Sequence, residues 1–177
     1  MTDDIVHEAT YPYAPEAVWR ALTTPEAMGA WLMETTFREP VVGHRFQFRD
    51  KPKKVVGWNG VTDCEVAEVV PLRRLVIRFA IEESVTTATL VTFELEPVPE
   101  GTRVRFRHSG FLGFKGWLMR QGMNQGWGAI MRHAIPYVTS RMLEGEMPTR
   151  EETRAVAKQG FRADHHARKA AAQQPRS

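Results

Sequence analysis

A strand with one solvated face and one buried face is encoded by the segment TRVRFRHSGF, residues 102–111. Three arginines alternate there with Val104, Phe106 and His108. Because successive side chains of a strand point to opposite faces, the arginines share one face and the histidine joins the apolar residues on the other. The pattern predicts a β-strand that carries a polar histidine toward the protein interior.

The segment GFLGFKGW, residues 110–117, follows this strand directly. It contains too many glycines for a strand and too many aromatic residues for an ordinary solvated loop. Glycine tolerates backbone conformations that other residues avoid, so the three glycines would allow the segment to move. We therefore predict a mobile aromatic gate formed by Phe111, Phe114 and Trp117 beside a pocket.

Other segments with period-two alternation predict an antiparallel sheet. IVHEATY near the N-terminus is one such segment, and RFQFR at residues 45–49 is a second. Further on, Leu75, Ile77, Phe79 and Ile81 share one face of a strand. Residues 89–96 alternate again, and the turn at 97–101 joins them to the strand that carries His108. Its Glu94 and Glu96 should lie opposite the arginines across this hairpin.

Helical signals occur at both ends of this strand-rich region. Two short helices are predicted after the first strand, the second beginning at Thr24. From about Asn124 apolar residues recur at three- and four-residue steps, which predicts a long helix that ends at Gly145. Pro136 lies inside this helix and should disturb it near Arg132. The order of elements indicates an α+β fold in which a sheet packs on a C-terminal helix.

Composition limits the class of protein. A chain of 177 residues corresponds to one domain by default. The single cysteine, Cys64, cannot form an internal disulfide, which favours a reducing compartment. The N-terminus is acidic where a signal peptide would be basic, and no apolar run approaches the roughly 18 residues of a membrane span. We expect a cytoplasmic protein with no membrane association.

Charge divides the chain into two parts. Residues 147–177 contain seven basic and three acidic side chains, whereas residues 1–146 contain 17 basic and 18 acidic ones. We therefore predict a domain over 1–146 that does not bind nucleic acid, followed by a basic extension over 147–177. Thr149 and Glu152 form a capping-box pattern, which predicts a short helix through Lys158 that Gly160 ends. Beyond it we expect disorder, with a docking helix as the alternative.

Five sequence segments together resemble the START/Bet v 1-like superfamily, also called SRPBCC. They are YAPEAVWRALTTPEAMGAW, VGHRFQF, EVAEVVPLRRLVIRF, TRVRFRHSGF and GWGAIMRHAIPYV, in the order of the family. The closest similarity is to the bacterial branch related to the C-terminal domain of the Hsp90 ATPase activator Aha1, often called AHSA1-like. The resemblance covers about residues 4–145 and implies a helix-grip fold, in which a curved antiparallel sheet surrounds a long C-terminal helix.

This fold implies a cavity between sheet and helix, because the two do not close fully on each other. The ligand-binding residues that we predict combine the cavity wall with the gate and His108. They are Trp31, Phe79, Phe93, Phe106, His108, Phe111, Phe114, Trp117, Trp127 and Met131. Most aromatic residues of any such chain are simply core, so the list is a hypothesis about which ones also face a ligand.

The favoured function is the binding of a small hydrophobic or aromatic molecule, without catalysis, cofactor or metal. A polyketide cyclase or dehydratase-like enzyme is one alternative, with His108 as the weak candidate for general acid or base. A protein-binding module resembling the Hsp90 activator is another, with a protein partner instead of a small molecule. The oligomeric state is left open by the sequence.

Two further groups of polar residues have ordinary as well as functional interpretations. Asp63 and Glu65 share a strand face, as acid/base carboxylates could, but a solvated strand face has the same pattern. His165 and His166 are adjacent rather than separated by one helical turn, so we predict no metal site there.

Overall fold

The computed structural model describes residues 4–54, 57–79 and 88–173. Within them, an antiparallel sheet of seven strands curves around a C-terminal helical segment. The strand order is β1-β7-β6-β5-β4-β3-β2, so the first and second strands form the two edges. The α+β helix-grip fold expected from the sequence is confirmed.

The elements follow each other in the predicted order. The strands are β1 (Ile5–Tyr11), β2 (Glu34–Thr35), β3 (Arg45–Arg49), β4 (Val61–Val70), β5 (Arg74–Phe79), β6 (Thr89–Val98) and β7 (Gly101–Ser109). The helices are α1 (Pro15–Thr23), α2 (Pro25–Trp31), α3 (Gly113–Ala129), α4 (Ile135–Leu143) and α5 (Arg150–Ala172), with a π-helical turn (Ile130–Ala134) between α3 and α4. The predicted strand residue Ile81 and the last four residues of the chain lie outside the described residues.

The alternation in β7 separates its two faces as predicted. Val104, Phe106 and His108 are buried, and β1 and β6 pair with β7 on its two sides. The outward arginines form ion pairs with acidic side chains in or next to those strands: Arg103 with Glu96 at 3.2 Å, Arg105 with Glu8 at 2.9 Å and Arg107 with Asp4 at 2.5 Å. Glu94 pairs instead with Arg74 of β5. This side of the sheet is an ion-paired solvated surface.

The C-terminal helical segment is interrupted where the sequence predicts a disturbance. Residues Ile130–Ala134 form a π-helical turn, in which the Ile135 N–H donates to the Ile130 carbonyl five residues earlier. Pro136 follows immediately, and its ring has no N–H to continue the α-helical ladder. The segment ends at Leu143, and Gly145 adopts a positive φ of 80°, as expected for a helix-ending glycine.

The prediction of an aromatic loop over residues 110–117 is wrong in part. The helix begins at Gly113 rather than near Asn124, so Phe114 and Trp117 lie on the first turns of α3. Glycine lowers helix propensity, which is why the sequence pattern indicated a loop. Only residues 110–112 connect β7 to α3, and Gly110 adopts a positive φ of 93° in this connection.

The prediction of a short helix followed by disorder is also wrong. α5 begins with the predicted capping box of Thr149 and Glu152, but it continues through Gly160 to Ala172. Gly160 lies where α5 crosses the π-helical turn, and a Cβ atom at this position would overlap the His133 ring. The glycine therefore permits close helix packing instead of ending the helix.

Candidate functional site

A chain of hydrogen bonds connects His108 to β6 and to α3 in the protein interior. The Trp127 indole N–H donates to His108 Nδ1 at 3.1 Å. His108 Nε2 lies 2.8 Å from Thr89 Oγ1, whose hydroxyl donates to the Phe79 carbonyl at 2.7 Å. Nδ1 accepts a hydrogen bond, and the hydroxyl hydrogen of Thr89 is already donated to Phe79. Nε2 must therefore carry the imidazole hydrogen and donate a hydrogen bond to Thr89 Oγ1. The polar side-chain atoms of Trp127, His108 and Thr89 therefore all have hydrogen-bond partners.

Burial determines the charge of His108. Its side chain is 0% exposed, and desolvation lowers the pKa of the imidazole to about 3. The ring is therefore neutral near pH 7, with both nitrogen atoms engaged in hydrogen bonds. An acid/base catalyst needs a nitrogen within reach of substrate, so this arrangement favours a structural role for His108.

Aromatic rings surround His108 between the sheet and the C-terminal helical segment. The Phe106 and Trp127 ring centroids lie 4.3 Å apart, and those of His108 and Phe111 lie 4.6 Å apart. Phe93 contacts both Phe106 and Trp31 at centroid distances of 5.2 and 6.0 Å. The other buried members of the predicted wall are Phe79 and Met131. The structure thus brings together seven of the ten predicted residues as one core cluster, with Phe111 at its boundary.

The remaining two predicted residues lie outside this cluster on the surface of α3. Phe114 is 77% exposed and Trp117 is 43% exposed, and their rings stack at 5.8 Å. Leu112 and Leu118 are also exposed, so an apolar patch forms at the start of α3. We call these four residues the α3 patch. Half-buried Phe111 connects the patch to the buried cluster through its contact with His108.

Two of the structural links near this site were missed by the sequence analysis. The Tyr11 hydroxyl donates to the Met131 carbonyl at 2.5 Å, and burial raises the pKa of this phenol. His7 Nε2 lies 3.0 Å from Asn124 Oδ1, which joins β1 to α3. The inward positions of Tyr11 and His7 on the alternating first strand were a signal for both links. Their partners lie more than 100 residues away, so only the tertiary structure identifies them.

The carboxylates of β4 lie on the opposite, outward face of the sheet. Asp63 accepts a hydrogen bond from Gln47 at 2.8 Å, and Glu65 forms an ion pair with Arg45 at 3.0 Å. They line a groove of about 610 Å³ that Arg49 and Arg78 also border. Since both carboxylates pair with side chains of the neighbouring strand β3, this arrangement is that of a solvated strand face.

The described residues contain neither a metal-binding cluster nor a membrane-spanning helix. No group of three or more His, Cys, Asp or Glu side chains is arranged there to hold a metal ion. His165 and His166 are exposed on α5, and Cys64 is buried. In the same part of the chain, every helix is too short or too polar to cross a bilayer.

A curved antiparallel sheet that grips an aromatic-rich C-terminal helix defines the helix-grip class of proteins. Within this class, the family model described as Activator of Hsp90 ATPase homolog 1-like protein matches residues 12–135. The chain belongs to this family. The match ends at the start of α4, so α5 lies outside it.

Solved structures of bacterial proteins are similar to this chain. A Mesorhizobium loti protein is 32% identical, with a TM-score of 0.67 over 78% of this chain and 97% of that one. An Aha1 dimer from Colwellia psychrerythraea is 26% identical, with a TM-score of 0.59 over 72% of this chain and 90% of that one. A Bacillus halodurans protein is 25% identical, with a TM-score of 0.59 over 73% and 93%. No curated protein sequence is significantly similar to the chain.

Proposed function

We propose that this protein binds a small hydrophobic molecule beneath the start of α3. The observation that carries the proposal is that Phe111 contacts the buried His108 ring and directly precedes the exposed α3 patch in the chain. Contiguous apolar surface is uncommon on soluble proteins and marks sites of interaction. A ligand that first contacts the exposed patch and then displaces Phe111 would reach the buried aromatic rings.

The start of α3 has the features of a segment that can open. Gly110 and Gly113 both adopt positive φ values, 93° and 66°, at the junction between β7 and the helix. Glycines also occur inside α3 at residues 116, 122 and 126, and glycine in a helix interior lowers helix stability by roughly 0.5–1 kcal/mol relative to alanine. A helix start with few packed side chains and many glycines opens at low free-energy cost. This supports entry of the ligand at α3.

The polar groups of the interior limit the chemistry of the ligand. Trp127, His108 and Thr89 satisfy each other's hydrogen bonds, so none of these three side chains is left to pair with a charged guest. Burying a charge without a partner costs several kcal/mol. An uncharged apolar or aromatic molecule therefore suits the site better than a carboxylate or an amine.

Titration with the uncharged fluorescent probe N-phenyl-1-naphthylamine tests this function. We expect saturable binding at one site, and we expect Phe114→Ala combined with Trp117→Ala to weaken it at least tenfold. The matched control is Val6→Ala combined with Leu143→Ala, which removes two exposed apolar side chains elsewhere. Native mass spectrometry of the freshly purified protein would then identify any natural ligand. Absence of saturable binding, or equal loss in the control, would overturn the proposal.

A second candidate function is activation of an Hsp90 ATPase, and family membership is the observation that favours it. The similar Colwellia psychrerythraea structure is itself described as an Aha1 dimer. The test is the ATP hydrolysis rate of purified bacterial Hsp90 with and without this protein. This candidate would be favoured if the protein increases the rate, and if the variant that combines Phe114→Ala with Trp117→Ala increases it equally. An unchanged rate together with no complex in sedimentation would eliminate it.

A further inference from the structure

A stripe of basic side chains follows one face of α5. Its residues are separated by four, four, three and four positions, which keeps them on the same side of a helix with 3.6 residues per turn. We call these residues the basic stripe: Arg154, Lys158, Arg162, His165 and Lys169. All five are exposed. The stripe is about 22 Å long at 1.5 Å per residue.

The opposite face of α5 holds the helix against the rest of the protein. Thr153 is buried there, and Gly160 lies against the His133 ring. Asp164 accepts hydrogen bonds from Arg132 and His133, both at 2.9 Å. Packing of one face therefore orients the helix so that the basic stripe points to solvent.

The aspartates near α5 pair with residues outside the basic stripe. Asp50 pairs with Arg150 at 2.6 Å, and Asp164 is used by the π-helical turn. Glu151 is the one carboxylate on the same face as the stripe, at its N-terminal end. Within the part of the chain that the structure describes, no side chain of the basic stripe forms an ion pair. The positive charge is thus presented to an external partner.

We propose that the basic stripe binds the phosphate backbone of nucleic acid without sequence preference. Protein interfaces have apolar cores with charges at the rim, and membrane-surface helices insert an apolar face. Among the described residues, α5 exposes no large hydrophobic side chain. Binding to a phosphate backbone requires only a row of cations, so it is the partner that the stripe fits. The domain itself remains close to neutral, with 17 basic and 18 acidic residues over 1–146.

The salt dependence of DNA binding tests this proposal quantitatively. Fluorescence anisotropy with a labelled random-sequence duplex should show binding whose log K falls with log salt at a slope of about −3, for three to four phosphates neutralised. Affinity should therefore fall about 60-fold between 50 and 200 mM salt. Replacing Lys158, Arg162 and Lys169 by Gln should weaken binding at least tenfold at 50 mM salt and reduce the slope to about −1.

A matched variant separates the stripe from overall charge. Replacing Arg20, Arg38 and Arg73 by Gln removes the same charge from exposed positions of the domain. We expect this control to change the affinity less than threefold, and circular dichroism should show that both variants are folded. Equal loss in the two variants, or no binding of the natural sequence at 20 mM salt, would overturn the proposal. Preferential binding to poly-glutamate or to anionic vesicles would overturn it in favour of an acidic protein or a membrane.

Discussion

Trp117 and Trp127 lie ten residues apart on one helix, and their surroundings are very different. Trp127 is buried, packs on Phe106 and donates its indole N–H to His108. Trp117 is 43% exposed and stacks on Phe114, which is itself exposed. Sequence analysis assigned both tryptophans to one ligand site. The difference shows that α3 is held in place by its C-terminal end, whereas its N-terminal end is joined to the core only lightly.

Glycine distribution explains part of this contrast. In the open end of α3, residues 113–126, Gly122 and Gly126 have no atom within 4 Å of the position that a Cβ would occupy. Gly128 and Gly160 instead mark close approach: Gly128 lies beside His7 and Arg132, and Gly160 lies beside His133. The same residue type weakens the helix in one region and permits tight packing in the other.

The largest expected contrast is between the two tryptophans themselves. Trp127→Ala should lower the free energy of unfolding by about 3–5 kcal/mol, because it creates a core cavity and leaves His108 Nδ1 without a donor. Trp117→Ala should lower it by less than about 1 kcal/mol, since exposed positions contribute little. Urea denaturation of both variants measures the difference. Similar losses would show that the two ends of α3 are equally well packed.

The next effect is a pH dependence that originates at His108. The folded protein keeps this ring neutral down to a pKa of about 3, whereas the unfolded chain protonates it below its ordinary value of 6.5. The unfolded state therefore binds more protons between these values, and stability falls as pH falls from 6.5 toward 3. From pH 7 to pH 5 the titration of His108 should lower the free energy of unfolding by about 2 kcal/mol.

His108→Gln removes this titration while retaining hydrogen-bonding capacity. Denaturation of both proteins at pH 7 and pH 5 isolates the contribution of His108, because groups common to both cancel. We expect the variant to lose about 2 kcal/mol less than the natural sequence over this range. An equal loss in the two proteins would mean that the ring is not buried as a neutral group.

A glycine substitution at the α5 crossing should have a smaller effect. Gly160→Ala places a methyl group in the space of the His133 ring. We expect the free energy of unfolding to fall by about 1–2 kcal/mol, a net value that includes the gain in helix propensity. Gly122→Ala meets no neighbour and should stabilise the protein by about 0.5–1 kcal/mol. Thermal unfolding should thus shift in opposite directions for the two variants. A stabilising effect of both would contradict the close packing of α5.

The smallest effect concerns the opening of α3. Gly122→Ala combined with Gly126→Ala should slow hydrogen exchange of the amides over 113–123, because the open end of the helix becomes more stable. Amides of α4 should exchange as in the natural sequence. If ligand entry requires this end to open, the association rate of N-phenyl-1-naphthylamine should fall as well. Slower exchange with an unchanged association rate would place the entry elsewhere.

Much of the fold followed from local patterns. Alternation predicted β1, β6 and β7 and placed His108 inside, and the capping box predicted the first residue of α5. The errors concern glycines: those at 113 and 116 were interpreted as loop residues, and Gly160 as a helix end. Local propensity disfavours glycine in helices, but packing with distant elements overrides it. Seven residues of the predicted site are buried, as expected, because inward-facing side chains can be identified from strand and helix periodicity.

The sequence by itself determined which side chains of each element point inward, since the periods of strands and helices are local geometric properties. It also determined that the net positive charge lies after residue 146. Only the tertiary structure decided that Trp127 and Thr89 complete the hydrogen bonds of His108, and that Asp164 and Gly160 hold α5 against the π-helical turn. Such contacts join residues far apart in the chain, and no local pattern specifies which distant partner packing will bring together.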